Sequence, residues 1–392
     1  MITAALVLLS VFQVADSTGQ PMPDGLATID HVVAHGVAAG GFPGAAVVVG
    51  RRDTLLLVRG YGHQRWGPHA RTIDPSTTRY DLASLTKTLA TGLAAMVLYD
   101  HGRLDLDAPV DRYLPRWRGG GRERVTVRDL LTHRSGLPAG RELWRVARTP
   151  AGARRAVLAT PLDELPGTRY VYSDLGADVL GFVVEAIVRE PLDAYLADRI
   201  YRPLGLRHIG FHPRGGQLAQ LAWTDARPGA VNDRNARVMG GVAGHAGLFA
   251  SATDVAAIAQ MLLHGGVYHG IRLVSDTTVA RFTARTAGTR ALGWDTCAGG
   301  ASCGQYMGPT TYGHTGYTGT SLWIDPEHDL FVVVLTNWAA GTAGHPAGPG
   351  AILADVRADV ADLAEATVAS GPAGPIPPPA LVALRSDAAR GW

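Results

Sequence analysis

The chain has 392 residues, 46% of them hydrophobic and 18% charged, so it can bury a large core as one domain or two intimate lobes. Its formal net charge is +2 and it has no Lys/Arg block interleaved with aromatics, which removes the electrostatic case for a nucleic-acid partner. Past the N-terminal run described next, no uncharged stretch is long enough for a membrane span.

Met1 to Ala15 form a short apolar run ending in the small residues Ala15 and Ser17, the length of a signal-peptide core. A basic leader is missing, yet residues 1–17 read best as an export signal and the protein as periplasmic or extracellular. Leu26, Ile29, Val32, Val33 and Val37 then recur at helical spacing after Asp24. Ala45–Val49 and Leu55–Val58 predict a hairpin, and Ser321–Ile324 and Leu330–Leu335 predict a second. A helix carrying Ile352, Val356, Val360 and Leu363 on one face follows.

Strand pairs at both ends, each with a helix, predict an α+β fold: one antiparallel sheet flanked by helices, plus a mainly helical lobe. The expected division is a catalytic domain over 18–366, with an α/β lobe from 25–83 and 285–366 and a helical lobe over 84–284. The helical lobe takes in the patterns Leu89, Leu93, Met96, Val97; Val179, Phe182, Val183, Ile187; and Val255, Ile258, Leu262. Ser251 to Asp254 has the form of a capping box. The Pro/Gly-rich stretch over 367–392 reads as an extended tail. Cys297 and Cys303 enclose a Gly/Ala-rich loop, and an even count in an exported chain points to a disulfide; their spacing does not suit zinc.

Lys87 is the only lysine among 36 basic residues. Arginine cannot lose its proton in a protein, whereas a buried lysine can be tuned to act as a base. Ser84 lies three residues earlier, where an apolar-periodic helix opens, so the two side chains share one face. A serine needs such a base to become a nucleophile, and amides at a helix start stabilise a developing oxyanion. A Ser-His-Asp hydrolase would instead call for a G-x-S-x-G elbow. Neither Ser84 nor Ser135 sits in one, since Leu82 precedes Ser84 and His133 precedes Ser135 at the position where glycine is needed.

Ser84-x-x-Lys87, Tyr172-x-Asp174 and His314-Thr315-Gly316, in this order, resemble the three signatures of the serine β-lactamase and DD-peptidase superfamily. The resemblance covers about residues 25 to 366 and includes Leu130 to Leu137, similar to the class C and esterase branch, and Gly316-Tyr317-Thr318-Gly319-Thr320-Ser321. It implies an acylated Ser84, with Lys87 and Tyr172 sharing proton transfer, and an oxyanion hole from the backbone amides of Ser84 and Tyr317. Asp174, His314, Thr315 and Gly316 would contact the substrate. No cofactor or metal is implied, and the expected partner is a small ester, a peptide or a cell-wall fragment.

Two departures bear on the substrate. His314 stands where class C β-lactamases have a permanently charged lysine, a change that resembles family VIII carboxylesterases and some DD-peptidases. A residue titrating near neutrality would make carboxylate recognition pH-dependent and weak, favouring esters or neutral amides over β-lactams. Asp174 stands where asparagine is usual. Its carboxylate can pair with Lys87, raising the lysine pKa and shifting the base role toward Tyr172. The alternatives are a class C-type β-lactamase and a non-catalytic penicillin-binding or scaffold protein. The stretch Val231 to Ala236, followed by Gly240 to Phe249, is similar to a branch of penicillin-binding proteins and muramoyl-alanine amidases. Its Asn232, Asp233 and His245 either line the cleft or close turns. His133 reads as structural.

Overall fold

The computed structural model describes residues 24–224, 227–286, 288–299, 302–340 and 350–370. The proposed export signal lies outside them. Helix α1 (Asp24–Ala38) leads into the hairpin of β1 (Gly44–Arg51) and β2 (Thr54–Gly62). A wide, π-type turn over Lys87–Gly92 runs into α2 (Leu93–Asp100), and α3 (Asp174–Val188) and α4 (Ala252–Leu263) complete the middle of the chain as far as the site needs it. The C-terminal part supplies β3 (Asp295–Thr296), β4 (Tyr312–Gly316), β5 (Thr320–Asp325), β6 (Leu330–Thr336) and α5 (Gly350–Ser370).

The strands form one antiparallel sheet in the order β2-β1-β6-β5-β4-β3, joined across the termini where β1 pairs with β6, Val48 facing Val333. Every residue of β6 is buried, as a strand covered on both faces must be. Ala45, Val47, Val49, Trp323, Val332 and Val334 pack with Ile29 and Val33 of α1 and Val356 and Val360 of α5. Their neighbours Ala46, Val48, Leu322, Ile324, Val333 and Leu335 join the core of the helical lobe, so strand alternation splits the apolar residues between two cores.

Two boundaries move from their expected places. Helix α4, assigned by pattern to the helical lobe, packs on β1, β5 and β6. Its apolar stripe fits either partner, because periodicity shows that a helix has a buried face but not what covers it. Ser251 caps it by accepting from the Asp254 amide at 3.2 Å, but Asp254 turns its own carboxylate to the His208 amide at 2.6 Å, which leaves the box half made. Helix α5 continues to Ser370, so residues 367–370 are helical; the remainder of the expected tail lies outside the described residues. Cys297 and Cys303 are disulfide-bonded.

Candidate active site

Ser84 follows the short strand Tyr80–Asp81, which pairs with Phe249–Ala250 and is buried throughout. Asp81 Oδ1 accepts from the Ala83 amide at 2.9 Å and Oδ2 from the Asn232 amide at 2.6 Å, while burial pushes its pKa up to about 6. Ala83 is held at φ +45°, a conformation an L-residue adopts only where its surroundings enforce it. This strained residue presents Ser84 at the mouth of the helix, and Lys87 follows in the widened turn. Gly92 permits that widening, because a Cβ there would lie 2.8 Å from the Lys87 carbonyl.

Lys87 Nζ donates to Ser84 Oγ at 2.9 Å and to the His245 carbonyl at 3.3 Å, and pairs with Asp174 at 2.8 Å. The i, i+3 contact predicted from sequence is therefore made. Burial acts to lower the Lys87 pKa, but the negative charge available at Tyr172 and Asp174 outweighs it and the net shift is upward. This is the Asp174 pairing anticipated above, and it leaves Lys87 an ammonium rather than a neutral amine near pH 7. Asp174 reaches Lys87 because Ser173, not a later residue, caps α3 by accepting from the Gly176 amide at 3.0 Å, placing Asp174 in the first turn.

Tyr172 lies between cations. Lys87 Nζ is 4.8 Å and the Arg290 guanidinium 5.3 Å from its ring centroid. His133 packs on the same ring at 4.6 Å, and its Nδ1 accepts from the Ser173 amide at 3.1 Å, which fixes the approach to α3. His133 is structural as expected, and it also supports Tyr172.

Gly316 brings β4 against the nucleophile segment: a Cβ there would lie 2.3 Å from the Leu82 carbonyl. Thr318 and Thr320 hydroxyls donate to the Asp81 and Leu82 carbonyls at 2.5 and 3.0 Å, clamping the turn that carries Tyr317 beside Ser84. Behind the turn, Arg357 of α5 donates to the Gly316 and Thr320 carbonyls at 2.9 and 2.7 Å. His314 is buried, with Nδ1 2.7 Å from the Thr315 carbonyl and Nε2 without a hydrogen-bond partner among the described residues. Burial, then Arg290 and Lys87, push its pKa well below 6.5. The expected change of charge near neutrality does not occur: His314 is a neutral imidazole there.

Ser84, Tyr172, Asp174, His314, Thr315 and Tyr317 line one pocket of about 720 Å³, which also takes in Asn232, Asp233 and His245; Lys87 and Gly316 lie behind its wall. The Gly-rich stretch is explained by close approach, since a Cβ at Gly244 would lie 2.1 Å from the Ala177 carbonyl. His245 Nδ1 is 2.7 Å from Asp178 and Nε2 3.1 Å from Asp233. Burial opposes its charge, yet Asp178 and Asp233 raise its pKa well above 6.5. Asp233 both lines the cleft and closes a turn, accepting from the Ala236 amide at 2.7 Å.

Sequence reasoning missed Arg290 and Trp144, which share the pocket. Arg290 is 7% exposed, donates to the Tyr170 hydroxyl at 3.0 Å and pairs with Asp295 at 3.3 Å. In so arginine-rich a chain it has no local signature. Trp144 lies against the guanidinium groups of Arg145 and Arg234, at 4.6 and 5.1 Å.

The β-lactamase family profile matches residues 29–357. A protein of Salmonella agona (strain SL483) named "Putative D-alanyl-D-alanine carboxypeptidase" is 33% identical over 357 residues, spanning 78% of this chain and 81% of the relative. Among solved structures, a penicillin-binding protein homologue from Caulobacter crescentus superposes with a TM-score of 0.71 at 18% identity, covering 87% of this chain and 98% of that one. A family VIII carboxylesterase gives 0.67 at 18% identity, covering 85% and 96%. At these identities the two structures speak for the fold. Among the described residues no helix is long and apolar enough to cross a membrane.

Proposed function

The chain belongs to the β-lactamase family of serine hydrolases, and we propose that it is an exported acyl hydrolase working through an acyl-enzyme on Ser84, with peptides or esters bearing a carboxylate as substrates. The observation that carries this reading is the Lys87 ammonium held between Ser84 and Asp174. Because Lys87 donates to Ser84, the proton of the attacking hydroxyl passes to the Tyr172 oxygen as the Tyr172 hydroxyl releases its own, beside Lys87 and Arg290. The released proton goes to the leaving group. The bond between Ser84 Oγ and the acyl carbon forms as the bond to the leaving group breaks, and water then releases the acid. The amides of Ser84 and Tyr317 would receive the oxyanion, on a turn fixed by Thr318, Thr320 and Arg357.

Arg290 supplies near His314 the permanent cation that a lysine provides in class C enzymes, which favours substrates carrying a carboxylate. The similarity to proteins named as putative D-alanyl-D-alanine carboxypeptidases supports the same substrate class. Export is supported by the Cys297–Cys303 bridge and the apolar N-terminal run. The deciding experiment is a panel of D-Ala-D-Ala peptides, p-nitrophenyl esters and a chromogenic cephalosporin on wild type and Ser84→Ala, with intact mass read during turnover. The carboxylate-bearing D-Ala-D-Ala peptides are expected to exceed the neutral esters, with an acyl adduct on wild type alone. Turnover surviving in Ser84→Ala would sink the assignment.

A further inference from the structure

Asp325 ends β5 at the pole away from Thr320, which contacts the nucleophile segment. Its side chain is fully buried, and so nearly is that of Glu365 on α5, at 0% and 2% exposed. His328, in the turn that follows β5, joins them: its Nδ1 is 3.0 Å from Asp325 Oδ2 and 2.7 Å from Glu365 Oε1. One donor atom from each of the three lies within 4.8 Å of the others.

Buried carboxylates are paired or bind metals, since stripping the charge of water costs several kcal/mol. Asp325 is well provided for, accepting from the Gly308 amide at 2.7 Å and the Glu327 amide at 2.9 Å. Glu365 is not. Its polar contacts among the described residues are His328 on Oε1 and the neighbouring acid Asp325, and burial together with Asp325 pushes its pKa up to about 7. Among the described residues no backbone amide donates to it, and no lysine or arginine pairs with either acid. Asp362, one turn earlier on α5, adds another buried acid at 1% exposed, although amides of Gln305 and Tyr306 satisfy it.

We propose that Asp325, His328 and Glu365 form a site for one divalent transition-metal ion, Zn²⁺ or Mn²⁺, that fastens α5 to the turn between β5 and β6. Neighbouring donors around an octahedral ion with bonds of about 2.1 Å stand about 3 Å apart, close to the spacing His328 makes with both carboxylates. One imidazole with two carboxylates suits such ions better than calcium, which prefers all-oxygen sets. The amides on Asp325 already hold one ligand in place, as outer-shell donors do in metal sites. His328, with its side chain 38% exposed, gives the ion a way in from solvent. The site makes no use of Ser84 and stands whether or not the hydrolase reading does.

The test uses the full chain stripped with a chelator and titrated with ZnCl₂ or MnCl₂, reading metal content after desalting, calorimetric binding and Tm. One ion per chain and a Tm rise of roughly 3 °C or more are expected. Both should persist in Ser84→Ala and vanish in Glu365→Gln and His328→Ala. Should Glu365→Gln fail to fold, the more exposed His328→Ala decides. Retention of no ion by wild type, or equal binding by wild type and His328→Ala, would overturn the site and leave His328 as a bridge between two carboxylates.

Discussion

His245 and His314 line the same pocket, are 2% and 4% exposed, and end in opposite charge states. Burial opposes the imidazolium in both. At His245 the carboxylates of Asp178 and Asp233 reverse that effect, and their partner is a cation. At His314 the neighbours are Arg290 and Lys87, which reinforce burial, and the ring is neutral. The neighbours, rather than depth, decide the charge of a buried histidine, so the pocket has one wall of alternating fixed charges and another where a neutral acceptor sits beside a cation.

Lys87 acts on both walls, through contact with the His245 carbonyl and through its charge on His314, so replacing it breaks the comparison most severely. Its Nζ meets Ser84, Asp174 and the His245 carbonyl from a position 5% exposed. A guanidinium is planar and larger and cannot repeat those contacts. Lys87→Arg should lower kcat/KM by roughly four powers of ten or more in steady-state assays with a p-nitrophenyl ester. Activity within tenfold of wild type would remove Lys87 from the mechanism.

His245→Gln tests the charged wall. It leaves Asp178, at 0% side-chain exposure, without its cation, a loss of about 3–5 kcal/mol in urea unfolding near neutral pH. Because the folded pKa lies above the unfolded value of about 6.5, the stabilisation from His245 is complete below that value and fades as pH rises through the folded pKa. The gap between wild type and variant should therefore be full below about pH 6.5 and narrow as pH rises above it. A constant gap would mean that His245 acts through packing alone.

The contrast also explains what could be read from sequence. The strands at both termini and the Ser84–Lys87 contact were legible, because each rests on periodicity or helical spacing; Asn232, Asp233 and His245 stood out as a dense local motif whose role, cleft or turn, the sequence left open. The charge of His314 was not, because it depends on Arg290, which is brought to it by the fold and looks like every other arginine in the chain. The partner of α4 was illegible for a similar reason: a stripe of apolar residues does not say which surface it meets. Ala83 gives no hint of its positive φ, which accompanies the hydrogen bond its amide donates to the buried Asp81.

Arg290→Gln sharpens the comparison at the neutral wall. A charge-assisted bond to a carboxylate is worth about 1.5–3 kcal/mol. Part of that strength is already shared with Asp295, 3.3 Å away. The ratio of kcat/KM for D-Ala-D-Ala peptides to that for neutral esters should fall by roughly one to two powers of ten, read on both substrates in parallel. An unchanged ratio would place the substrate carboxylate elsewhere.

The smallest effect belongs to His314, for which the sequence had suggested a pH-dependent and weak recognition of the substrate carboxylate. With its pKa pushed well below 6.5 by burial, Arg290 and Lys87, the ring stays neutral through the working range and contributes no ionisation to the acid limb of kcat/KM. The sign follows from the same shift: as pH falls below about 6.5 the unfolded chain takes up a proton that the folded ring refuses, so His314 costs stability in acid rather than switching on a binding charge. An asparagine keeps a neutral polar group at this position. His314→Asn should leave the midpoint of the acid limb in place and lower the rate by no more than about tenfold, while resistance to unfolding at mildly acidic pH improves relative to neutral pH. Rate profiles and urea unfolding across the same pH series measure both. If the acid limb moved with the substitution, His314 would be titrating in the active enzyme, and the two walls would not differ as their neighbours dictate.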